Sequence, residues 1–415
     1  MVNFRSLILN HQKVIENYFF MTILQILNSF FYLLLYPYLI RVLGGESYGL
    51  FVFATSIATY FLFFINFGFD LPATKAVAEN VEDPQKIQEI LSCIFTSKTY
   101  LFLLSLAVFW LLILLFPVFA KNKSVFFLCF ISIYSFVLFP QWFFQGVQRM
   151  KVVTYIQLGL KFASLPVIFW LIKSPSDLVL YVIIITMTNI VGGIIASLII
   201  RFRFRFKISW VSLFKLKIWF KNAQPFFLSS LASSLKEYSI PIIIGSFFGM
   251  KEVAVYDLAN KLIIVPRTLF MSVNAAIFPK LIVKINNVFV KKLIRIELLI
   301  SLSVVFFIFV FGKFIVQFMG GAGMEDSYYL AILLGFTVVS WLVVGAYINF
   351  VFIPNNKNYF ITANQVIAMF SFFALCIGGL MIYNNIMVFG VALALSGILE
   401  IIYCEYITRK HHLLK

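Results

Sequence analysis

The sequence predicts an all-α polytopic membrane protein with about twelve transmembrane helices. Three observations carry this reading. Of 415 residues, 62% are hydrophobic and only 12% charged, with a mean hydropathy of +1.00, well beyond the apolar share of a soluble domain. Apolar runs of about 18 residues, the length that crosses a bilayer, recur along the whole chain. The runs are continuous, as in VVFFIFVF from Val304 to Phe311, and do not alternate with period two, so they read as helices and not as strands of an outer-membrane barrel.

In chain order the spans fall near 18–40, 48–69, 99–118, 125–145, 153–172, 178–200, 222–248, 253–279, 296–318, 327–352, 358–382 and 386–407. The first follows a short stretch carrying Arg5 and Lys13 and lacks a small-residue cleavage pattern, so it reads as an uncleaved span. Between the second and third, AENVEDPQKIQEI is polar and reads as a cytoplasmic helix leading into span three. RFRFRFKISWVSLFKLKIWFK, Arg201 to Lys221, interleaves bases with aromatics. It reads as an amphipathic connector lying in the membrane interface, with sensing of anionic lipid as a second use. The connector divides the chain into an N-terminal lobe (1–205), the connector proper (206–221) and a C-terminal lobe (222–415).

Orientation follows from the basic residues. With the N-terminus inside, most of them lie in inner loops: Lys75, Lys86 and Lys98 in one, and Arg201, Arg203, Arg205, Lys207, Lys215, Lys217 and Lys221 in another. The outer loops hold only Arg41, Lys121, Lys123, Lys173 and Lys251. The positive-inside rule then places both termini in the cytoplasm. Much of the +17 charge is thereby assigned to anchoring on anionic membrane lipids, and nucleic acid is excluded as a partner. Six spans on each side of the connector have the same orientation, which fits a parallel repeat. GGESYGLFVFATSI aligns with GMKEVAVYDLANKL, Gly44 over Gly249 and Ala54 over Ala259, with Pro37 and Pro241 preceding at nearly the same distance.

A charge at mid-bilayer costs about 2.5–3.5 kcal/mol even on a lenient scale, so charges at depth need a partner, water or a ligand. Lys313, Glu297, Glu405 and Asp257 lie close enough to an interface to snorkel, and Glu400 is left undecided. Lys161, Lys236, Glu237 and Arg267, the last following Pro266, fall near span centres, with Lys261 a turn or two away. On span seven Ser229, Ser233 and Lys236 share helical spacing with Ser230, Ser234 and Glu237 one residue on, forming one polar face. Neighbouring residues point about 100° apart, so Lys236 and Glu237 are poorly placed to neutralise each other. Central bases outnumber central acids, and this surplus points to a wet cationic cavity with an anionic guest. The alternative is an interhelical bridge, such as Glu237 with Arg267, that only locks the bundle. Thr22, Gln25, Asn28 and Ser29 share one face of span one and can hydrogen-bond either to the cavity or within the bundle.

No GxxxxGK[ST], HExxH or DxD motif is present, so the chain reads as a transporter and not an enzyme or an ATPase. Cys93, Cys129, Cys376 and Cys404 are scattered, and His11, His411 and His412 sit in the tails, so neither metal nor cofactor is expected.

Four stretches carry a family resemblance: PYLIRVLGGESYGLFVFA (Pro37 to Ala54), FPQWFFQGVQRMK (Phe139 to Lys151), SSLKEYSIPIIIGSFFGMKEVAVYDLANKL (Ser233 to Leu262), and the spacing from Pro266 to Pro279–Leu281. The chain resembles the Wzx-type O-antigen and polysaccharide flippases of the multidrug/oligosaccharidyl-lipid/polysaccharide exporter superfamily. The resemblance implies two six-helix lobes around a central cavity that opens alternately to each side. It implies a substrate of undecaprenyl-diphosphate-linked oligosaccharide moved to the periplasmic leaflet of the bacterial inner membrane, with polysaccharide polymerase and chain-length machinery as partners. In that frame Lys236, Arg267, Lys161 and Lys261 offset the diphosphate charge, and Asn28, Gln25 and Ser233 bond sugar hydroxyls. Glu237 and Asp70 are the candidates for coupling H+ or Na+. Relatives more often carry Arg and Asp where this chain has Lys236 and Glu237, which weakens the case for bidentate phosphate gripping. A peptidoglycan-precursor lipid flippase and an ion-coupled multidrug exporter of the same superfamily are the alternatives; the surplus of bases disfavours the second.

Overall fold

The computed structural model describes residues 4–282, 287–355 and 357–414. These residues are helical almost throughout. The first helix, α1 (Phe4–Asn66), holds the first two predicted spans. It is broken at Gly44, where φ is 73° and ψ 164°, a backbone conformation that L side chains rarely adopt. A short α2 (Asp70–Glu79) follows. The predicted cytoplasmic helix and third span then run together as α3 (Pro84–Leu115). Its start is well signalled: Asp83 accepts from the backbone N–H groups of Gln85 and Lys86, both at 3.1 Å, and Pro84 occupies the first turn. Such a cap contributes about 1 kcal/mol.

The fourth predicted span is not one helix. After α4 (Pro117–Lys121) it is split into α5 (Lys123–Ser132), α6 (Ser135–Leu138) and α7 (Gln141–Gly146). Pro140, directly before α7, has no N–H to give and sits at ψ 77°, so the helix cannot continue through it. Next come α8 (Met150–Leu171) and α9 (Leu178–Phe202). In the turn joining them Asp177 accepts from Lys173 N (2.9 Å), Ser174 Oγ (2.9 Å) and Ser174 N (2.8 Å), which holds its carboxyl below the ordinary range. The second half of the predicted connector is already helical, because α10 (Leu213–Phe247) runs from it straight into span seven. The rest is α11 (Met250–Ile282), α12 (Asn287–Gly320), α13 (Asp326–Tyr347) with a π-helical turn at Ile348–Phe352, α14 (Asn358–Ile382) and α15 (Met387–Lys410).

Nine stretches among the described residues are long and apolar enough to cross a membrane, and the first of these, Phe19–Asn66, has 48 residues and contains the Gly44 break. The charged helices α10 and α11, 35 and 33 residues long, coincide with predicted spans seven and eight. The protein is a multi-pass membrane protein.

The chain forms two compact units, Met1–Leu35 with Phe53–Leu231, and Tyr36–Val52 with Ala232–Lys415. In the first, the core is phenylalanine-rich: Phe109 stacks on Phe130 at 4.4 Å, Phe61 meets both, and Phe67 stacks on Phe227 at 4.6 Å. In the second, α13 packs on α12 and α15, with Val343, Ala346, Phe350 and Cys404 buried together. Segment Tyr36–Val52 docks onto α11 there. A Cβ on Gly49 would lie 1.7 Å from the Met250 carbonyl oxygen, so only glycine admits this approach. All four cysteines are buried and reduced.

Candidate functional site

The charges expected at mid-membrane are arranged as pairs, most of them in the second unit. On α10, Lys236 Nζ lies 2.9 Å from Glu400 Oε1 of α15, with the side chains 21% and 13% exposed. The other oxygen, Oε2, accepts from Asn364 Nδ2 of α14 at 3.4 Å, and Asn364 is itself bonded by Cys404 Sγ at 3.7 Å. One residue on, Glu237 Oε1 accepts from Arg267 Nη1 of α11 at 3.1 Å, with the side chains 46% and 32% exposed. The Arg267 guanidinium also sits 4.7 Å over the Trp341 ring of α13, a favourable cation–π geometry. Six residues earlier on α11, Lys261 Nζ is 3.5 Å from Asp257 Oδ1, and the Tyr48 hydroxyl donates to Asp257 Oδ2 at 2.9 Å.

These contacts correct the expected surplus of central bases. Lys236, Arg267 and Lys261 each face a carboxylate: Glu237 for Arg267, and Glu400 and Asp257, set aside in the sequence as undecided or close to an interface, for the two lysines. Lys236 and Glu237 do not neutralise each other; each turns to a different helix, as their angular offset requires. The interhelical Glu237–Arg267 bridge is formed.

In the first unit the arrangement differs. Lys161 Nζ on α8 lies 2.7 Å from Asn28 Oδ1 of α1, and 5.4 and 5.5 Å from the ring centroids of Phe31 and Tyr32. Among the described residues it forms no ion pair. A neutral amide and two ring faces stabilise the ammonium without cancelling its charge. Of the other polar residues on this face of α1, Ser29 donates to the Gln25 backbone carbonyl at 3.1 Å, a bond within the helix. The side chain of Ser233 lies outside the described residues.

Asp70 opens α2, and its Oδ1 accepts from Lys98 Nζ at 2.6 Å; Lys98 also donates to Asn66 Oδ1 at 2.9 Å. Lys98 was expected in an inner loop, yet its side chain is 3% exposed and lies on the continuous helix α3, whereas Asp70 is 53% exposed. The reason is that Lys98 sits among buried polar residues of α3, Ser92, Thr96, Ser97 and Thr99, and reaches Asn66 at the end of α1. Asn364, Trp341 and Tyr48 were not anticipated as partners. Asn364 lies in a short polar stretch with Thr362 and Gln365 inside a predicted span, and Trp341 stands among valines, which is the signal that could have drawn attention to them.

Comparison with known proteins adds the following. The sequence model of a family described as "Polysaccharide biosynthesis protein" matches residues 14–285. A protein of Escherichia coli (strain K12) named as a candidate O-antigen transporter is 27% identical over 272 residues, 66% of this chain and 66% of that one. A protein of Shigella dysenteriae with the same name is 28% identical over 260 residues, 61% of this chain and 64% of that one. The matched region thus spans just under two thirds of each relative. Among solved structures, an inward-facing multidrug resistance MATE family transporter of the MOP superfamily superposes with a TM-score of 0.66 over 94% of this chain and 98% of that one, at 12% identity. Lipid II flippase MurJ, inward closed, gives 0.64 over 97% and 87%, at 16% identity. At these identities the likeness is one of fold alone.

Proposed function

The chain belongs to the polysaccharide biosynthesis protein family, and from that premise we propose that it is a flippase for lipid-linked oligosaccharide. The substrate is an O-antigen or other polysaccharide repeat unit on undecaprenyl diphosphate, moved from the cytoplasmic to the periplasmic leaflet of the inner membrane by alternating access, with both termini cytoplasmic. The observation that carries this reading is Lys161, a membrane-helix cation held by an amide oxygen and two aromatic rings and paired with no carboxylate among the described residues. An uncompensated cation at that depth is costly unless an anion visits it. A diphosphate supplies that anion.

Lys161 is therefore the first diphosphate contact, and Asn28 beside it is released to a sugar hydroxyl when phosphate takes its place. Lys236 is the least available of the cations, since it is mostly buried and paired with Glu400, which Asn364 holds in place. Arg267 is the most exchangeable of the paired ones because its bridge to Glu237 is half-exposed and such pairs contribute little net stability. When Arg267 turns to phosphate, Glu237 is left to take up H+ or Na+, and Asp70 is the corresponding candidate in the first unit. Lys261 is a further candidate for the diphosphate, and Gln25 and Ser233 are candidates for the sugar hydroxyls. Export of a negative head group is favoured by a cytoplasm-negative potential, by about 2.3 kcal/mol per charge per 100 mV. Polymerase and chain-length proteins would act on the exported product.

The test is complementation of a flippase-deficient host, scoring surface polysaccharide against membrane abundance. Lys161→Ala is expected to lose most export at normal abundance, with Lys161→Arg restoring part of it. Full export from Lys161→Ala would remove the cation from the mechanism.

A further inference from the structure

We infer that the base-rich segment following α9 is a binding seam for anionic phospholipid, built so that its aromatic residues grip the protein and its bases face outward. Between Phe204 and Ser212 the segment is not helical, and there Phe204 and Phe206 are half-buried while the bases between and after them stay exposed. Phe204 packs edge-on against Phe143 and Phe144 at 5.3 and 6.1 Å, and Phe206 against Phe143 at 6.0 Å. Both partners are fully buried. The intervening Arg203, Arg205 and Lys207 are exposed and form no ion pair among the described residues. Arg205 has a φ of 62°, a left-handed conformation that a non-glycine residue adopts at a cost of about 1 kcal/mol. The backbone is fastened on either side: Phe206 N donates to Ile200 O, Lys207 N to Gln88 Oε1 and Ser209 N to Ser92 Oγ, at 3.2, 3.1 and 3.1 Å.

Beside this row the surface is apolar. Phe202, Trp210, Leu213, Phe214 and Ile218 are all exposed, Phe214 at 85%, and Phe214 and Ile218 lie one turn apart on one face of α10. A water-facing surface would not keep five large apolar side chains next to three unpaired bases; a headgroup boundary accommodates both. The occupant is the phosphate of an anionic glycerophospholipid, because its charge complements the bases while its acyl chains cover the aromatic face. This site lies on the first unit alone and involves neither Lys161 nor the charge pairs, so it stands or falls separately from the transport reading.

The full chain, purified in a non-ionic detergent and offered a mixture of phosphatidylglycerol and phosphatidylcholine, is assayed by mass spectrometry of the lipid it retains. The wild type should retain phosphatidylglycerol preferentially. Arg203→Gln, Arg205→Gln and Lys207→Gln together should lower that preference, by about five-fold for each base removed, while Arg203→Lys with Arg205→Lys preserves it and shows that the segment still folds. Lys121→Gln with Lys123→Gln, which alters a different basic pair, should leave it unchanged. The inference is overturned if the triple variant keeps the wild-type preference, if the Lys121 and Lys123 variant loses as much, or if inorganic phosphate alone displaces the lipid at equal ionic strength.

Discussion

Lys236 and Glu237 are adjacent in sequence, yet their bridges differ in kind. The Lys236–Glu400 pair is mostly buried and tied to Asn364, so removing one partner leaves a charge stranded in a low-dielectric setting. Glu400→Gln should destabilise the protein by about 3 kcal/mol, read as a lower thermal midpoint in detergent, and Lys236→Met with Glu400→Met should recover much of the loss. If the single variant unfolds at the wild-type midpoint, the pair is not structural. Glu237→Gln breaks a half-exposed pair and should cost under about 1 kcal/mol. Its effect should instead fall on coupling: transport in vesicles should lose its dependence on pH or sodium, and an unchanged dependence would exclude Glu237 from that role. That Lys236 and Glu237 could not satisfy each other was legible from helical geometry alone. Arg267 was legible as a possible partner of Glu237, but Glu400 was not legible as the partner of Lys236, since it lies 164 residues away and only packing decides which helices meet. Lys161 was legible as a central cation; its neutral surroundings were not.

Helices were the most legible elements, because continuous apolar runs leave no other way to satisfy the backbone in lipid. Breaks within them were less so. Pro140 splits the fourth span, and Gly44 divides α1, although only the loop near Gly44 was foreseen. The weak match of Gly44 to Gly249 has a physical counterpart: both glycines have positive φ, 73° and 101°, and each interrupts two successive membrane helices. The two matched stretches also touch, through Gly49 and Met250 and through Tyr48 and Asp257. Gly49→Ala should therefore be disruptive, at or above the 1–3 kcal/mol typical of overpacking, roughly, because the obstacle is backbone. Gly45→Ala meets the mobile end of Met324 first, at 2.8 Å, and should be milder. Gly345→Ala meets nothing within 4 Å and should change the midpoint little. Equal folded yields from Gly49→Ala and Gly345→Ala would contradict the close docking of this segment.

At the scale of the whole molecule, composition alone identified a multi-pass membrane protein, and four short stretches pointed to the family that residues 14–285 now identify. The matched region ends with α11 and holds the bases together with two of their acidic partners, Glu237 and Asp257. Glu400, the partner of Lys236, and Trp341, under Arg267, lie beyond it. Lys161 stands out once these pairs are assigned. The most direct test of the account is the rate at which purified protein in proteoliposomes translocates a fluorescent oligosaccharide on undecaprenyl diphosphate, compared between wild type and Lys161→Ala. Loss of one charge-assisted contact to phosphate should slow transport by about ten-fold or more. Equal rates, or wild-type translocation of an uncharged polyprenyl oligosaccharide as fast as the diphosphate, would contradict it.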